Sequence, residues 1–188
     1  MIKDAASMRQ RLKELLLQKS YRKGKIKLSS GRESDFYIDG KQTTLDAEGA
    51  YLCGSLLYET INREGNRIEG VGGMTLGADP LVTAVSIVSY LAGKPLPAFI
   101  VRKEAKSHGT ENYLEGAKNL PDGARVALLE DVVTTGGTLL QVIDRVEALG
   151  FEVALVATVV DRQEGGVEAL AAKGYRLHSV FTREELLS

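Results

Sequence analysis

Two adjacent acids, Glu130 and Asp131, follow an apolar run and precede a stretch of threonines and glycines. The apolar run, residues 126–129, is typical of a buried strand, and a helix is predicted to begin at Thr138. Glycines let backbone N–H groups turn inward, and a helix N-terminus carries partial positive charge. With the threonine hydroxyls, this segment is suited to hold a phosphate monoester. The alternative interpretation is an ordinary capped turn.

The two carboxylates distinguish this segment from other phosphate-binding loops. No lysine follows the glycines, as it would in a Walker loop, and the segment lacks the G-x-G-x-x-G spacing of dinucleotide-binding folds. Two acids beside a phosphate would repel it, whereas they would accept hydrogen bonds from sugar hydroxyls one ribose length away. The segment therefore predicts a site for a phosphorylated sugar.

A basic cluster occupies residues 102–108 and comprises Arg102, Lys103, Lys106 and His108. The whole chain has 25 acidic and 24 basic residues, so its net charge gives no support for attraction to nucleic acid or to a membrane. On this background a local cationic cluster suits a diphosphate, and it would stabilise a departing pyrophosphate. The alternative is a charged loop that faces solvent.

Arg162 follows a predicted strand, residues 153–160, in the context Asp161-Arg162. Its guanidinium can form two parallel hydrogen bonds to a carboxylate, and this predicts a substrate that carries one. A surface salt bridge between Arg162 and Glu164 is the alternative.

The elements that must position these residues alternate between strand and helix, which predicts an α/β fold with a parallel sheet covered on both faces. Ligands of such sheets bind beyond the carboxyl ends of the strands, here the loops after residues 73, 102, 130 and 160. Strands are predicted at residues 36–40, 68–73, 98–101, 126–129, 153–160 and 176–181, and helices at 7–19, 46–63, 79–91, 138–149 and 164–173.

Three further residues are assigned structural roles. Cys53 is the only cysteine and lies in an apolar helical stretch, so it is predicted to be buried, and no disulfide can form within the chain. This, with no secretory signal recognised, predicts a reducing, cytoplasmic setting, and no apolar run is long enough to span a membrane. His178 is predicted to be structural, and Asp79, before Pro80, to cap a helix.

Four segments together resemble one family over nearly the whole chain. Residues 126–138 resemble the motif of type I phosphoribosyltransferases that binds phosphoribosyl pyrophosphate (PRPP), and residues 102–109 resemble a loop characteristic of orotate phosphoribosyltransferases. Residues 29–37 and 71–80 resemble the amino-terminal hood and the pyrophosphate loop of that family. The chain departs from some relatives at Ser29 and Gly77, where those relatives carry lysine; Lys41 is out of register and is not assigned as a replacement.

The resemblance implies a type I phosphoribosyltransferase fold, a central parallel sheet flanked by helices, in a single domain of residues 1–188 with residues 1–45 forming the hood. It implies that Glu130 and Asp131 hold the ribose 2′- and 3′-hydroxyls and that residues 133–138 wrap the 5′-phosphate. The PRPP-binding residues it implies are Arg102, Lys103, Lys106, His108, Glu130, Asp131, Val132, Val133, Thr134, Thr135, Gly136, Gly137 and Thr138.

Catalytic roles are implied for Lys106, His108 and Asp131, and orotate contacts for Thr134 and Arg162. The resemblance also implies a homodimer in which Lys106 and His108 cross the interface, and Mg²⁺ bound mainly through the substrate rather than through a protein metal site.

The implied activity joins orotate to the ribose of PRPP, giving orotidine 5′-monophosphate and pyrophosphate in pyrimidine biosynthesis. Two alternatives remain open. One is a phosphoribosyltransferase for another base, such as a purine. The other is a regulator that keeps the fold and senses PRPP or a nucleotide without catalysis.

Overall fold

The computed structural model of the chain describes residues 4–27, 33–64, 67–104 and 113–188. Its amino-terminal part combines helices with a small antiparallel sheet, in which Tyr21 pairs with Ile38. These first elements are α1 (Ala5–Leu15), continued by a π-helical turn (Leu16–Ser20), β1 (Tyr21–Lys27), β2 (Glu33–Ile38), α2 (Lys41–Thr44) and α3 (Ala47–Arg63).

A six-stranded sheet forms the centre of the molecule, in the order β5-β4-β3-β6-β7-β8. Strand β5 is antiparallel to β4, and the other neighbouring strands are parallel. The elements are β3 (Gly70–Met74), α4 (Asp79–Leu91), β4 (Ala98–Val101), β5 (Leu114–Glu115), a 3₁₀ turn (Ala117–Asn119), β6 (Arg125–Val133), α5 (Gly137–Glu147), β7 (Glu152–Asp161), α6 (Gly166–Ala171), β8 (Leu177–Thr182) and α7 (Arg183–Leu187).

Two apolar cores cover the sheet because successive side chains of a strand point to opposite faces. In β6, Ala127 and Leu129 pack with residues of α1, α3 and α4, whereas Val126 and Leu128 pack with residues of α5 and α6. All four side chains are fully buried. Burial on both faces explains why these strands have continuous apolar sequences rather than alternating ones.

Most predicted elements are confirmed, including the helix predicted at residues 46–63, which corresponds to α3. Some details differ. Strand β1, helix α2, strand β5 and the 3₁₀ turn were not predicted. The prediction that Asp79 caps α4 is wrong: Asp79 is the first residue of the helix, and Ala78 is the cap position.

The carboxyl ends of β3, β4, β6 and β7 meet at one edge of the sheet, because these strands are parallel neighbours. The predicted phosphate, pyrophosphate and carboxylate sites therefore converge at this edge. Among the described helices, none combines the length and apolar character needed to cross a membrane.

Candidate active site

The two predicted acids lie inside β6, close to its carboxyl end. The strand extends past them because it stays paired with β7 as far as Val133, which lies opposite Asp161. Glu130 is 7% exposed. The backbone N–H of Asp131 donates to Oε1 of Glu130 at 3.1 Å, and the N–H of Val132 donates to Oδ1 of Asp131 at 2.8 Å. Both carboxylates are thus held by adjacent backbone groups.

The electrostatic environment of Glu130 disfavours a second negative charge. Burial, and after it the neighbouring charge of Asp131, raises the pKa of Glu130 well above its usual range, while the positive charge of Lys103 opposes this shift. Within residues 4–27, 33–64, 67–104 and 113–188, neither carboxylate forms a salt bridge. The pair is therefore suited to hydrogen bonding with uncharged hydroxyl groups rather than to neutralising a fixed cation.

Two glycines from other elements lie directly against the acids. A methyl group at Gly77, in the loop after β3, would lie 2.7 Å from Oε1 of Glu130 and 2.8 Å from Oδ1 of Asp131. One at Gly40, at the start of α2, would lie 2.6 Å from Oδ2 of Asp131. Sequence reasoning noted Gly77 only as a departure from relatives, yet any side chain there would displace the carboxylates.

The loop after β6 is shorter than predicted. Val132 and Val133 belong to the strand rather than to the phosphate-wrapping turn, and Val133 is buried with its carbonyl accepting from the N–H of Arg162 at 2.9 Å. Helix α5 begins at Gly137 after Gly136, whose φ of +79° favours glycine. The turn is therefore formed by residues 134–136, followed by the helix N-terminus.

The exposed groups of this turn are the ones that suit an anion. Thr135, Gly137 and Thr138 are exposed, while Thr134 is half-buried. The start of α6 packs beneath: a methyl group at Gly166 would lie 2.5 Å from Cγ1 of Val133 and 3.1 Å from the carbonyl oxygen of Thr134. Close backbone packing thus supports the turn from below and leaves Thr135 and the first residues of α5 exposed.

Arg162 is buried beside the turn of residues 134–136. Its Nε and Nη2 both donate to Oε1 of Glu164, at 3.0 and 2.7 Å, and its guanidinium lies 4.5 Å from the centre of the Phe36 ring. The ion pair considered as an alternative is therefore present, but the Arg162 side chain is only 3% exposed, so this is not a surface salt bridge. A buried, ring-stacked guanidinium is preorganised for a planar anion.

The described part of the basic cluster lies at the end of β4. Arg102 donates from Nη1 to Oε1 of Glu115 at 3.0 Å, and its backbone N–H donates to the carbonyl of Tyr113 at 2.7 Å. A cleft of about 390 Å³ is lined by Arg102, Lys103, Glu115 and residues of the β3–α4 loop and β4. Lys106 and His108 lie outside the described residues, so the roles predicted for them remain predictions.

Lys41 is a cation near the acids that sequence reasoning left unassigned. Its ammonium group lies 2.7 Å from Oδ1 of Asp39. The hydrogen bond to Asp39 raises the pKa of Lys41, and the nearby charges of Asp131 and Asp39 contribute to the rise. The only sequence signal was that Gly40 and Lys41 follow a strand that ends in a turn.

Of the residues assigned structural roles, Cys53 is inert and His178 lies away from this edge, whereas Asp79 lines the cleft beside Arg102. Cys53 is fully buried, as predicted, and burial raises its pKa to about 12, so the thiol is a poor nucleophile. His178 is near the amino end of β8, at the opposite edge of the sheet, with Nδ1 3.3 Å from Glu64. Asp79 accepts from the hydroxyl of Thr75 at 2.8 Å instead of capping α4.

The parallel sheet, the acid pair and the glycine-threonine turn before α5 define the class of protein: a phosphoribosyltransferase of type I fold. Residues 52–178 match the family described as phosphoribosyl transferase domain. The chain is 47% identical to orotate phosphoribosyltransferase from Nostoc sp. over 97% of its length and 87% of that relative. It is 50% identical to the one from Thermosynechococcus vestitus, over 96% of this chain and 94% of that relative.

A solved structure gives the same result in three dimensions. Orotate phosphoribosyltransferase from Mycobacterium tuberculosis, in complex with PRPP, superimposes with a TM-score of 0.78 at 38% identity, covering 96% of this chain and 99% of that one. The chain belongs to the orotate phosphoribosyltransferase family.

Proposed function

We propose that this protein is an enzyme that transfers the 5-phosphoribosyl group of PRPP to orotate, releasing pyrophosphate and forming orotidine 5′-monophosphate for pyrimidine biosynthesis. The observation that carries the proposal is the convergence, at one sheet edge, of an acid pair (Glu130 buried, Asp131 half-buried), a glycine-threonine turn and a buried arginine. These three features match the ribose, the 5′-phosphate and the orotate carboxylate respectively. The family membership of the chain supports the same activity.

In this proposal the sugar phosphate of PRPP binds along β6 and the turn after it. Glu130 and Asp131 accept hydrogen bonds from the ribose hydroxyls, and the N–H groups and hydroxyls of residues 134–138 hold the 5′-phosphate, aided by the N-terminus of α5. Val132 and Val133 contribute by holding the turn in register, because they belong to β6.

Orotate binds beside Arg162 and Thr134, with its carboxylate paired to the guanidinium. Because Oε1 of Glu164 already occupies two of the arginine nitrogens, Glu164 sets the plane of the guanidinium for the incoming carboxylate. The Arg162 side chain is buried, so its charge interacts strongly with a buried anion. An uncharged purine would leave this cation without a substrate partner.

The chemical step is a displacement at C1 of the ribose. Orotate N1 forms the new bond while the bond from C1 to the pyrophosphate oxygen breaks, and that oxygen keeps the electron pair. Arg102, Lys103, Lys106 and His108 bind the pyrophosphate, and cations placed there stabilise the negative charge that develops on it. No covalent enzyme intermediate is required, so Asp131 acts on the sugar hydroxyls rather than as a nucleophile.

Mg²⁺ is the cofactor we propose, and it would bind mainly through the substrate. The described residues include no cluster of three or more metal-ligating side chains, and the carboxylates of Glu130 and Asp131 would supply the kind of oxygen ligands this ion accepts. When bound, the ion would neutralise charge on the departing pyrophosphate.

We further propose that residues 1–188 form one domain with residues 1–45 as its hood, and that the protein is a cytoplasmic homodimer in which Lys106 and His108 reach the partner's site. The contacts of Phe36 with Arg162 and of Gly40 with Asp131 support the hood. The exposed apolar side chains of Ile87, Tyr90 and Leu91 on α4 support association. A single buried cysteine suits a reducing compartment.

The decisive experiment measures product formation from PRPP and Mg²⁺ with orotate, adenine, guanine or hypoxanthine as the acceptor. We expect turnover with orotate alone. Turnover with a purine and not with orotate would show that the acceptor is a purine and would contradict the proposal. Binding of PRPP without turnover for any of the four bases would favour a regulator that keeps the fold.

A further inference from the structure

Arg145 connects α5, the helix that starts at the phosphate turn, to the strand end that carries the basic cluster. Its Nη1 donates to the backbone carbonyl of Arg102 at 2.5 Å, and its Nη2 donates to the carbonyl of Lys103 at 3.0 Å. One planar guanidinium thus holds two consecutive carbonyl groups, a geometry that a fork of N–H donors allows.

The same guanidinium also contacts the point where the chain returns to the sheet. Its Cζ lies 4.4 Å from the centre of the Tyr113 ring, and Nη1 lies 4.0 Å from Sδ of Met74 in β3. The carbonyl of Tyr113 accepts from the N–H of Arg102 at 2.7 Å. Arg145 therefore fixes both chain segments that flank residues 105–112, from one position on α5.

This placement has a consequence for charge. Lys103 is exposed, and its positive charge opposes the rise in the pKa of Glu130, so this lysine lies within electrostatic reach of the acid pair. Within the described residues 102–104, Arg145 donates only to the backbone carbonyls of Arg102 and Lys103. The side chains of these two residues therefore remain available for contacts with a ligand.

We propose that Arg145 is a positioning residue for pyrophosphate binding: it ties the backbone of Arg102 and Lys103 to the helix whose N-terminus faces the 5′-phosphate. The inference rests on the proposed function. Because α5 is a rigid element, the two ends of bound PRPP are then held by one body, with the 5′-phosphate at its first turn and the pyrophosphate-binding cations attached near its last. A small displacement of such groups is costly, since about 1 Å can lower a rate by about 100-fold.

The test compares Arg145→Met and Arg145→Lys with the parent chain. Methionine keeps the apolar stem but removes every donor, whereas lysine keeps the charge and can donate to a carbonyl without the planar fork. We expect Arg145→Met to raise the KM for PRPP and weaken inhibition by pyrophosphate by about tenfold, with the KM for orotate changed far less. Arg145→Lys should recover part of the lost affinity.

The matched control is Arg63→Met, which removes an exposed arginine from the last turn of α3. Within the described part of the chain, Arg63 forms a salt bridge only with Glu59. Its KM values should equal those of the parent. If Arg145 were merely structural, Arg145→Met would lower the melting temperature and reduce turnover, and the KM values for PRPP and for orotate would change to the same extent. That result, or an unchanged KM for PRPP in Arg145→Met, overturns the inference. An inactive parent chain would instead contradict the proposed function.

Discussion

Gly40 and Asp131 are in direct contact, although they lie far apart in the sequence. A methyl group on Gly40 would lie 2.6 Å from Oδ2 and 2.8 Å from Cβ of Asp131. The backbone of Gly40 has φ −54° and ψ −32°, which any residue can adopt. Glycine is therefore needed here for space, and the contact links the amino-terminal segment to the acid pair.

The first prediction is that Gly40→Ala raises the KM for PRPP by about tenfold or more, because Asp131 must move to accommodate the methyl group. Steady-state kinetics with varied PRPP measures this. Gly174→Ala is the control: Gly174 has φ +86° with open space around it, so alanine there should lower stability through backbone strain alone. Equal KM values in parent and Gly40→Ala would show that the contact does not position Asp131.

The second prediction concerns the carboxylate itself. Asp131→Asn should lower kcat/KM for PRPP by about 10- to 100-fold, since a hydrogen bond to a charged acceptor contributes about 1.5–3 kcal/mol. Asp144→Asn removes an exposed carboxylate that binds Lys173 and serves as the control. Unchanged PRPP kinetics in Asp131→Asn would reject the assignment of this acid to the ribose hydroxyls.

The third prediction follows from the raised pKa of Glu130. Its usual value is 4.5, and burial together with Asp131 raises it in the folded state. Between the two values the folded protein binds more protons than the unfolded chain, so stability is highest below the unfolded pKa and falls as pH rises through this window. Glu130→Gln removes that loss, so its melting temperature should exceed that of the parent more at about pH 8 than at about pH 5.

Thermal unfolding at several pH values tests this prediction, with about 2–4 °C expected for each kcal/mol relieved. Glu168→Gln, on α6, controls for the loss of an exposed carboxylate. A melting-temperature difference that is constant with pH would mean that Glu130 keeps an ordinary charge state in the fold. The variant should also bind PRPP more weakly if Glu130 holds a ribose hydroxyl.

The fourth prediction tests the basic cluster. Lys106→Ala should lower turnover by about 100-fold, the size of effect expected when one group that stabilises transition-state charge is removed. Orotate binding, measured by calorimetry, should change far less, because the pyrophosphate rather than the base is the proposed partner. Lys118→Ala removes an exposed lysine from the 3₁₀ turn and is the control. Turnover equal to the parent would remove Lys106 from the mechanism.

The fifth prediction tests specificity for a carboxylate-bearing base. Arg162→Lys should raise the KM for orotate by about 10- to 100-fold, because an ammonium group cannot reproduce the planar fork. Arg183→Lys is a close control, since Arg183 also lies over the Phe36 ring, at 4.4 Å. If both variants keep the parent's KM for orotate, the carboxylate is recognised elsewhere.

The amino-acid sequence by itself determined the fold class and the ordered motifs. Apolar strands alternating with amphipathic helices allow only a covered parallel sheet, so the strand ends that carry Glu130, Asp131 and Arg162 were predictable from local pattern. The glycine-threonine turn was predictable for the same reason, since its glycines and threonines are neighbours in sequence. Only its exact start was misplaced, because pairing with β7 extends β6 through Val133.

Tertiary structure alone decided the contacts between segments distant in the chain. Gly40 and Gly77 reach the acid pair, Phe36 stacks with Arg162, and Arg145 holds the backbone of Arg102 only after the sheet has brought their elements together. Local sequence carries no signal for such contacts, because propensity and periodicity describe each element separately. Whether a glycine leaves space for a carboxylate, or an arginine is buried or exposed, depends on packing across the sheet edge.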